Sequence, residues 1–293
     1  MLIGFHTNAF VWAGQSHLAA ITDFALKAGY TALEIGPGIP LEESNFRRAL
    51  EKITISNFIY CRNFISDDVQ EAEREREELW RRMAFASQLG VKRMVISTGI
   101  SQSLSLPKNG GCNPLASFQP AMVFLNEAMA RAQTFQLDLL LENCPMYRNI
   151  ATSPTLWDAL FAEIPAEQLG LCYDASHFVW QMIDPIAPLQ QYGDRIRHIH
   201  LKDTLMDWNV LHKVGILHNV GAERGLKPNQ WWRHTVMGEG EIDWQAFKQA
   251  LDSIPYTSCL SFEMEDHTYE CEEEKVKQGL TLQRATLQQQ WLL

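Results

Sequence analysis

Much that would place this chain quickly is missing from it. Its six cysteines (Cys61, Cys112, Cys144, Cys172, Cys259 and Cys271) are scattered and form no C-x-x-C pair. Reduced core thiols are therefore expected rather than a disulfide framework. The opening Met1-Leu2-Ile3-Gly4-Phe5-His6 has no basic n-region and no long apolar h-region, so no secretory leader is expected. No stretch approaches the roughly 18 uninterrupted apolar residues of a membrane helix. Basic excess is missing too, since 25 Lys+Arg face 35 Asp+Glu for a net charge of −10. Neutralising nucleic-acid phosphates takes a basic footprint, so this balance argues against DNA and against anionic membrane surfaces. A cytoplasmic protein is the simplest expectation.

What is present is ordinary in amount and regular in order. The chain has 293 residues, 46% of them hydrophobic and 20% charged. That length suggests two average domains, but α/β barrels run as single domains of roughly 200 to 400 residues. Phe24-Ala-Leu-Lys-Ala-Gly29-Tyr30 leads into Thr31-Ala-Leu-Glu-Ile35, and Phe85-Ala-Ser-Gln-Leu-Gly90-Val91 leads into Lys92-Arg-Met-Val-Ile96. Each is an amphipathic helix stopped by a glycine suited to the left-handed conformation, followed at once by a short buried strand. Eight strands of this kind start near Leu2, Thr31, Thr54, Arg93, Leu137, Gly170, Ile196 and Ser258. The clearest helix spans 68–89, opens on acidic residues, and places Leu79, Trp80, Met83, Ala84 and Ser87 at helical spacing as its core stripe. Strands alternating with helices predict an α/β fold, a single (β/α)8 TIM barrel over residues 1–293 with its chemistry at the C-terminal strand ends.

Four of those strands end on residues able to bind a hard cation. Leu139-Leu-Leu141 runs into Glu142-Asn143, and Leu171-Cys-Tyr173 into Asp174-Ala-Ser-His177. Ile196-Arg-His198-Ile199 runs into His200-Leu-Lys202-Asp203, and Cys259-Leu-Ser-Phe262 into Glu263-Met-Glu-Asp266. A charge directly after an apolar run is expensive to bury unless it is paired or metal-bound. Three carboxylates and an imidazole predict one divalent cation, Mn²⁺ for preference, with Mg²⁺, Co²⁺ or Zn²⁺ as alternatives. His198 and His200 are expected on opposite faces of their strand, so that only one of them faces the barrel. Glu142 and Glu263, ending different strands, would approach a chelated substrate from different sides, which permits proton removal on one face and return on the other.

With these pieces in this order the chain resembles the xylose isomerase-like TIM barrels, the sugar phosphate isomerase/epimerase group. The resemblance rests on Leu141-Glu-Asn143, Asp174-Ala-Ser-His177, His198-Ile-His-Leu-Lys-Asp203, Gly238-Glu-Gly-Glu-Ile-Asp-Trp244 and Leu260-Ser-Phe-Glu263. It implies Glu142, Asp174, His200 and Glu263 as metal ligands, and so selects His200 over His198. It implies Glu142 and Glu263 as the acid/base pair and His177 as a substrate-side histidine. The expected activity is isomerisation or epimerisation of a small sugar, keto-sugar or sugar derivative through a stabilised enediolate. Lys202 is a candidate for holding a substrate oxygen, and His6 and Glu34 close strands that could line the pocket.

Residues 204–241 are long for a βα connection, which usually takes about 2 to 6 residues, and they read as an insertion. The segment carries Trp208, Trp231 and Trp232, with His212, His218, Arg233 and His234. It is expected as a lid over the barrel mouth, with Trp232 and Arg233 touching substrate; the alternative is a homodimer or homotetramer contact. Where ketose 3-epimerases carry a substrate-binding arginine six residues after the ligand histidine, this chain has Met206. That departure argues against a simple ketohexose epimerase. A lyase of the inosose dehydratase type begins with the same proton abstraction and is the main alternative. An apurinic-site endonuclease would use extra early-strand histidines, and none occurs between His17 and His177. A non-catalytic sugar-binding barrel would keep the metal site without turnover.

Overall fold

The computed structural model describes residues 1–105, 113–145, 149–216 and 231–291. Eight parallel strands close into a barrel: β1 (Leu2–His6), β2 (Ala32–Ile35), β3 (Thr54–Tyr60), β4 (Arg93–Ile96), β5 (Asp138–Glu142), β6 (Gly170–Asp174), β7 (Ile196–Leu201) and β10 (Cys259–Phe262). Consecutive barrel strands pair with each other, and β10 closes the ring by pairing with β1 in the register Leu2 to Cys259. Each strand begins at or within one residue of its expected start. Helices surround the ring, as a (β/α)8 barrel requires.

The local reasons are those of the sequence. Gly29 and Gly90 both stop their helices at φ +79°, a left-handed backbone that a Cβ would strain. The helix Val69–Leu89 starts where the Asp68 side chain accepts from the Gln70 and Glu71 amides, a cap worth about 1 kcal/mol. Its core stripe needs one correction. Leu79, Met83 and Ala86 are buried with Arg82, whereas Ala84 is exposed and Trp80 and Ser87 are only partly covered. The stripe drifts one position because Arg82 turns inward, donating to the Pro37 carbonyl at 2.8 Å and pairing with Glu78 at 2.7 Å.

The 204–241 segment is structured where it is described. Asp203–Met206 forms β8 and Trp232–Thr235 forms β9, an antiparallel ribbon that pairs Met206 with Trp232 and Thr204 with His234. The helix Trp208–Val214 lies between them. His218 lies outside the described residues, as does Cys112. The other five cysteines are free thiols, Cys271 exposed and the rest buried. No helix among the described residues is long and apolar enough to cross a membrane.

Candidate metal centre

Each functional side chain is delivered by a strand end. Asn143, directly after β5, laces that end to β6, donating through Nδ2 to the Asp174 carbonyl and accepting from the Asp174 amide, both at 2.8 Å. Asp203 does the same for the helix Trp244–Asp252. Its carboxylate accepts from the Thr204, Gly238 and Ile242 amides and from Trp244 Nε1, so the Gly238–Trp244 motif is pinned to the end of β7. Gly240 is required there, since a Cβ would stand 2.2 Å from Asp203 Oδ1.

Above this frame the polar ends converge. Ligand-capable atoms of Glu142, Asp174, His177 and Glu263 all lie within 4.8 Å of one another, and all four residues are buried. His200 presents Nδ1 to the same point, 3.2 Å from Glu142, 3.4 Å from Glu263 and 3.9 Å from Asp174. Lys202 Nζ lies 2.6 Å from Glu263, 2.9 Å from Glu265 and 3.1 Å from Asp174 Oδ2. His6 Nδ1 is 3.2 Å from the other Glu263 oxygen. Asp174 Oδ1 accepts from the Ser176 amide and hydroxyl, while buried Asp174 Oδ2 makes no hydrogen bond. Three carboxylates and imidazole nitrogens converging beside Asp174 Oδ2, which meets Lys202 as an ion pair but makes no hydrogen bond, are a donor set that fits a divalent cation of the Mn²⁺ to Zn²⁺ range.

The charges follow from burial and neighbours. Burial works against ionising Glu263, but Lys202 and His200 outweigh it and hold the carboxyl well below its ordinary range. Burial raises Glu265 instead, only partly opposed by Lys202. Burial also disfavours the Lys202 ammonium, yet Asp174, Glu263 and Glu265 keep it firmly charged. His177 is pushed well below the histidine range by burial and then by Lys202, so it stands as a neutral imidazole. His234 is driven the same way by burial, Lys202 and His177.

A cavity of about 140 Å³ opens over the cluster, lined by His6, Trp12, Arg62, Glu142, Lys202 and Glu263 among others. Pockets for drug-sized ligands run to about 300–1,000 Å³, so its occupant is small. A larger hollow of about 650 Å³ lies at the opposite end, lined by Leu2, Tyr30, Thr54 and Arg93. That end of a (β/α)8 barrel carries stability rather than chemistry.

The structure brings Glu142, Asp174, His177, His200, Lys202, Glu263 and His6 together. It does not bring Arg233 there. Strand side chains alternate, so β9 covers Trp232 and His234 while Arg233 faces outward, 42% exposed, bonded to His267 and near Asp266. Trp232 lies flat on Trp180, with 4.6 Å between ring centroids, and its other neighbour His234 meets His177 edge to face at 5.2 Å. His198 and His200 correct a second expectation. Residues two apart share a strand face, and both rings point inward onto Glu34 Oε atoms at 3.0 Å. Sequence reasoning missed Glu265, although the same two-residue period places it beside Glu263, and passed over His234, whose inward position is set only by the β8–β9 register.

The comparisons with known proteins agree with the fold. A family model described as the xylose isomerase-like TIM barrel matches residues 22–286. The inosose dehydratase of Clostridium beijerinckii is 24% identical over 253 residues, covering 84% of this chain and 81% of that protein. An uncharacterised protein of Sinorhizobium fredii is 23% identical over 69% of this chain, which spans only 56% of that relative's length. Among solved structures, the IOLI protein with a bound zinc atom aligns with a TM-score of 0.71 at 17% identity, covering 99% of this chain and 97% of that one. An L-ribulose 3-epimerase aligns with a TM-score of 0.70 at 18% identity, covering 99% and 94%.

Proposed function

This chain belongs to the xylose isomerase-like TIM-barrel family, and from that premise we propose that it is a divalent-metal-dependent isomerase or epimerase of a small sugar, keto-sugar or sugar derivative. The observation that carries the proposal is the meeting of Glu142, Asp174, His200 Nδ1 and Glu263 around an oxygen that makes no hydrogen bond. These four residues would hold the ion. Mn²⁺ suits an oxygen-rich set of this kind, and Zn²⁺ is the ion named with the IOLI neighbour.

Held by these residues, a divalent cation would supply Lewis-acid polarisation of the substrate carbonyl. The protein supplies the proton transfers. Among the described residues Glu142 is bonded by the weak Cys61 thiol donor at 3.3 Å and by His200, with His177 Nε2 at 3.9 Å and no lysine on it, which leaves it the freer carboxylate to take a proton from the carbon beside the carbonyl. Glu263 stands on another strand, ionised and held by His6 and by the Lys202 ammonium at 2.6 Å; it would pass the Lys202 proton to the substrate from its own side, and Lys202 would be reprotonated from solvent. Return to the same carbon from the other face epimerises; return to the neighbouring carbon isomerises. Neutral His177 and the Lys202 ammonium hold substrate oxygens, and the ribbon's Trp232 closes the wall behind His234.

A second reading has its own support. Several relatives are named inosose dehydratases. Glu265, kept above the ordinary carboxylate range by burial, sits 2.9 Å from Lys202 where it could give a proton to a departing hydroxyl. The metal-loaded enzyme should be incubated with ketoses and keto-inositols in D₂O and the products read by NMR after metal removal. A deuterated epimer or isomer supports the first reading, and an enone supports the second. No exchange with any member of the panel defeats both. Glu142→Gln should lower turnover by about 10²- to 10⁴-fold, the usual contribution of a positioned base.

A further inference from the structure

Glu34 is a fully buried carboxylate that touches no part of the cavity. It nevertheless accepts from four groups on three other strands. Asn57 Nδ2 on β3 lies 2.7 Å away, Ser261 Oγ on β10 2.6 Å, and the Nε2 atoms of His198 and His200 on β7 both 3.0 Å. Asn57 is itself oriented, because its Oδ1 accepts from the Ser56 hydroxyl at 2.6 Å, which turns its amide nitrogen toward Glu34. The carboxylate therefore has a fixed position, and donors fixed by other strands hold it there.

We infer that Glu34 is the positioning residue of the metal centre, accepting the His200 Nε2 proton so that Nδ1 is aimed at the ion. The inference rests on the reading that His200 is a ligand. An imidazole offers one nitrogen to a metal, and the hydrogen bond made by the other nitrogen decides which one it is and how the ring is turned. His200 Nε2 faces Glu34, and its Nδ1 faces Glu142, Glu263 and Asp174. The buried negative charge also makes the ring a stronger donor. Losing such a partner typically costs 10- to 100-fold in metal affinity. A carboxylate this deep is otherwise an expensive choice for filling a barrel interior.

The test needs no substrate. Titrating Mn²⁺ alone into the metal-free full-length protein by calorimetry should show Glu34→Gln binding 10- to 100-fold more weakly than wild type, while circular dichroism still reports a folded barrel. A purely structural carboxylate would lower the unfolding temperature and leave the affinity of the folded protein unchanged; that result overturns the inference. His200→Ala separates the two failures. If it binds Mn²⁺ like wild type, the ligand reading falls and the positioning role falls with it. If it loses Mn²⁺ while Glu34→Gln keeps it, only the positioning role falls. Should Glu34→Gln not fold, ¹⁵N NMR of the Zn²⁺-loaded wild type decides: the His200 proton is expected on Nε2, and a proton on Nδ1 overturns the inference.

Discussion

The barrel interior carries two polar layers built partly from the same strands, and they differ in kind. On β7 the lower layer takes His198 and the upper layer takes the Nδ1 edge of His200; on β10 the lower takes Ser261 and the upper is capped by Glu263. In the lower layer one carboxylate, Glu34, is met by four hydrogen-bonding groups. Burial opposes its ionisation, yet the neighbouring His200 and His198 hold it well below its ordinary range. In the upper layer Asp174, Glu263 and Glu265 crowd around a single lysine, with Glu142 beside them on His200 Nδ1, and Asp174 Oδ2 meets Lys202 at 3.1 Å without a hydrogen bond. In the lower layer hydrogen bonds and the two histidines meet the one carboxylate, and the atom left over is a ring nitrogen, His198 Nδ1. The upper layer holds a surplus of negative charge that burial makes costly, which is the condition a bound cation relieves.

Removing the one lysine tests that difference most severely. Lys202→Met leaves Asp174, Glu263 and Glu265 buried without their cation, and losing one partner of a buried charge cluster costs about 3–5 kcal/mol. In chelator the variant should unfold at far lower urea than wild type, and added Mn²⁺ should recover most of the loss. A loss that Mn²⁺ leaves untouched would show that the upper layer is ordinary architecture. The acid side carries the same signature. Glu263 titrates lower in the folded protein than unfolded because Lys202 and His200 outweigh its burial. Its stabilisation is therefore complete above the unfolded carboxylate value of about pH 4.3 and is lost as pH falls through the folded value. Lys202→Met should flatten that slope in metal-free protein.

A lower-layer change that leaves Glu34 and its bond to His200 in place should cost less, and without regard to metal. Ser261→Ala removes the 2.6 Å hydroxyl donor and leaves Glu34 one hydrogen bond short. An unmet buried acceptor costs about 1–3 kcal/mol, so urea midpoints should fall by a like amount in chelator and in Mn²⁺. A large recovery by Mn²⁺ in this variant would merge the two layers into one.

The upper layer was legible in sequence because a charge closing an apolar run is a local signal, and four such ends came in barrel order. The lower layer was harder to read. Glu34 sits inside an ordinary strand, and its partners Asn57, His198 and Ser261 come from three other strands, so no window of sequence contains the network. The expectation that His198 and His200 face apart failed on strand arithmetic, since a period of two puts both on one face. The ribbon escaped for a different reason: β8 and β9 are four residues each and pair across a gap of 25 residues, leaving no local periodicity to find.

That missing register also decides the mildest of the expected effects. Sequence alone nominated both Trp232 and Arg233 as substrate contacts, and the antiparallel pairing sends only Trp232 and His234 toward the upper layer. Trp232→Ala removes a ring stacked at 2° on Trp180, an aromatic pair worth about 0.5–1.5 kcal/mol beyond its buried area. Because the ribbon reaches the site through His234 against His177 and carries none of the proton-transfer groups, KM should rise several-fold while kcat stays within about two-fold. Arg233→Ala, which removes an exposed pair with Asp266 and a bond to His267, should leave both constants near wild type. The opposite ranking, with Arg233 raising KM and Trp232 silent, would require the ribbon to turn over when substrate binds, and the charge surplus of the upper layer would then be shared with Arg233.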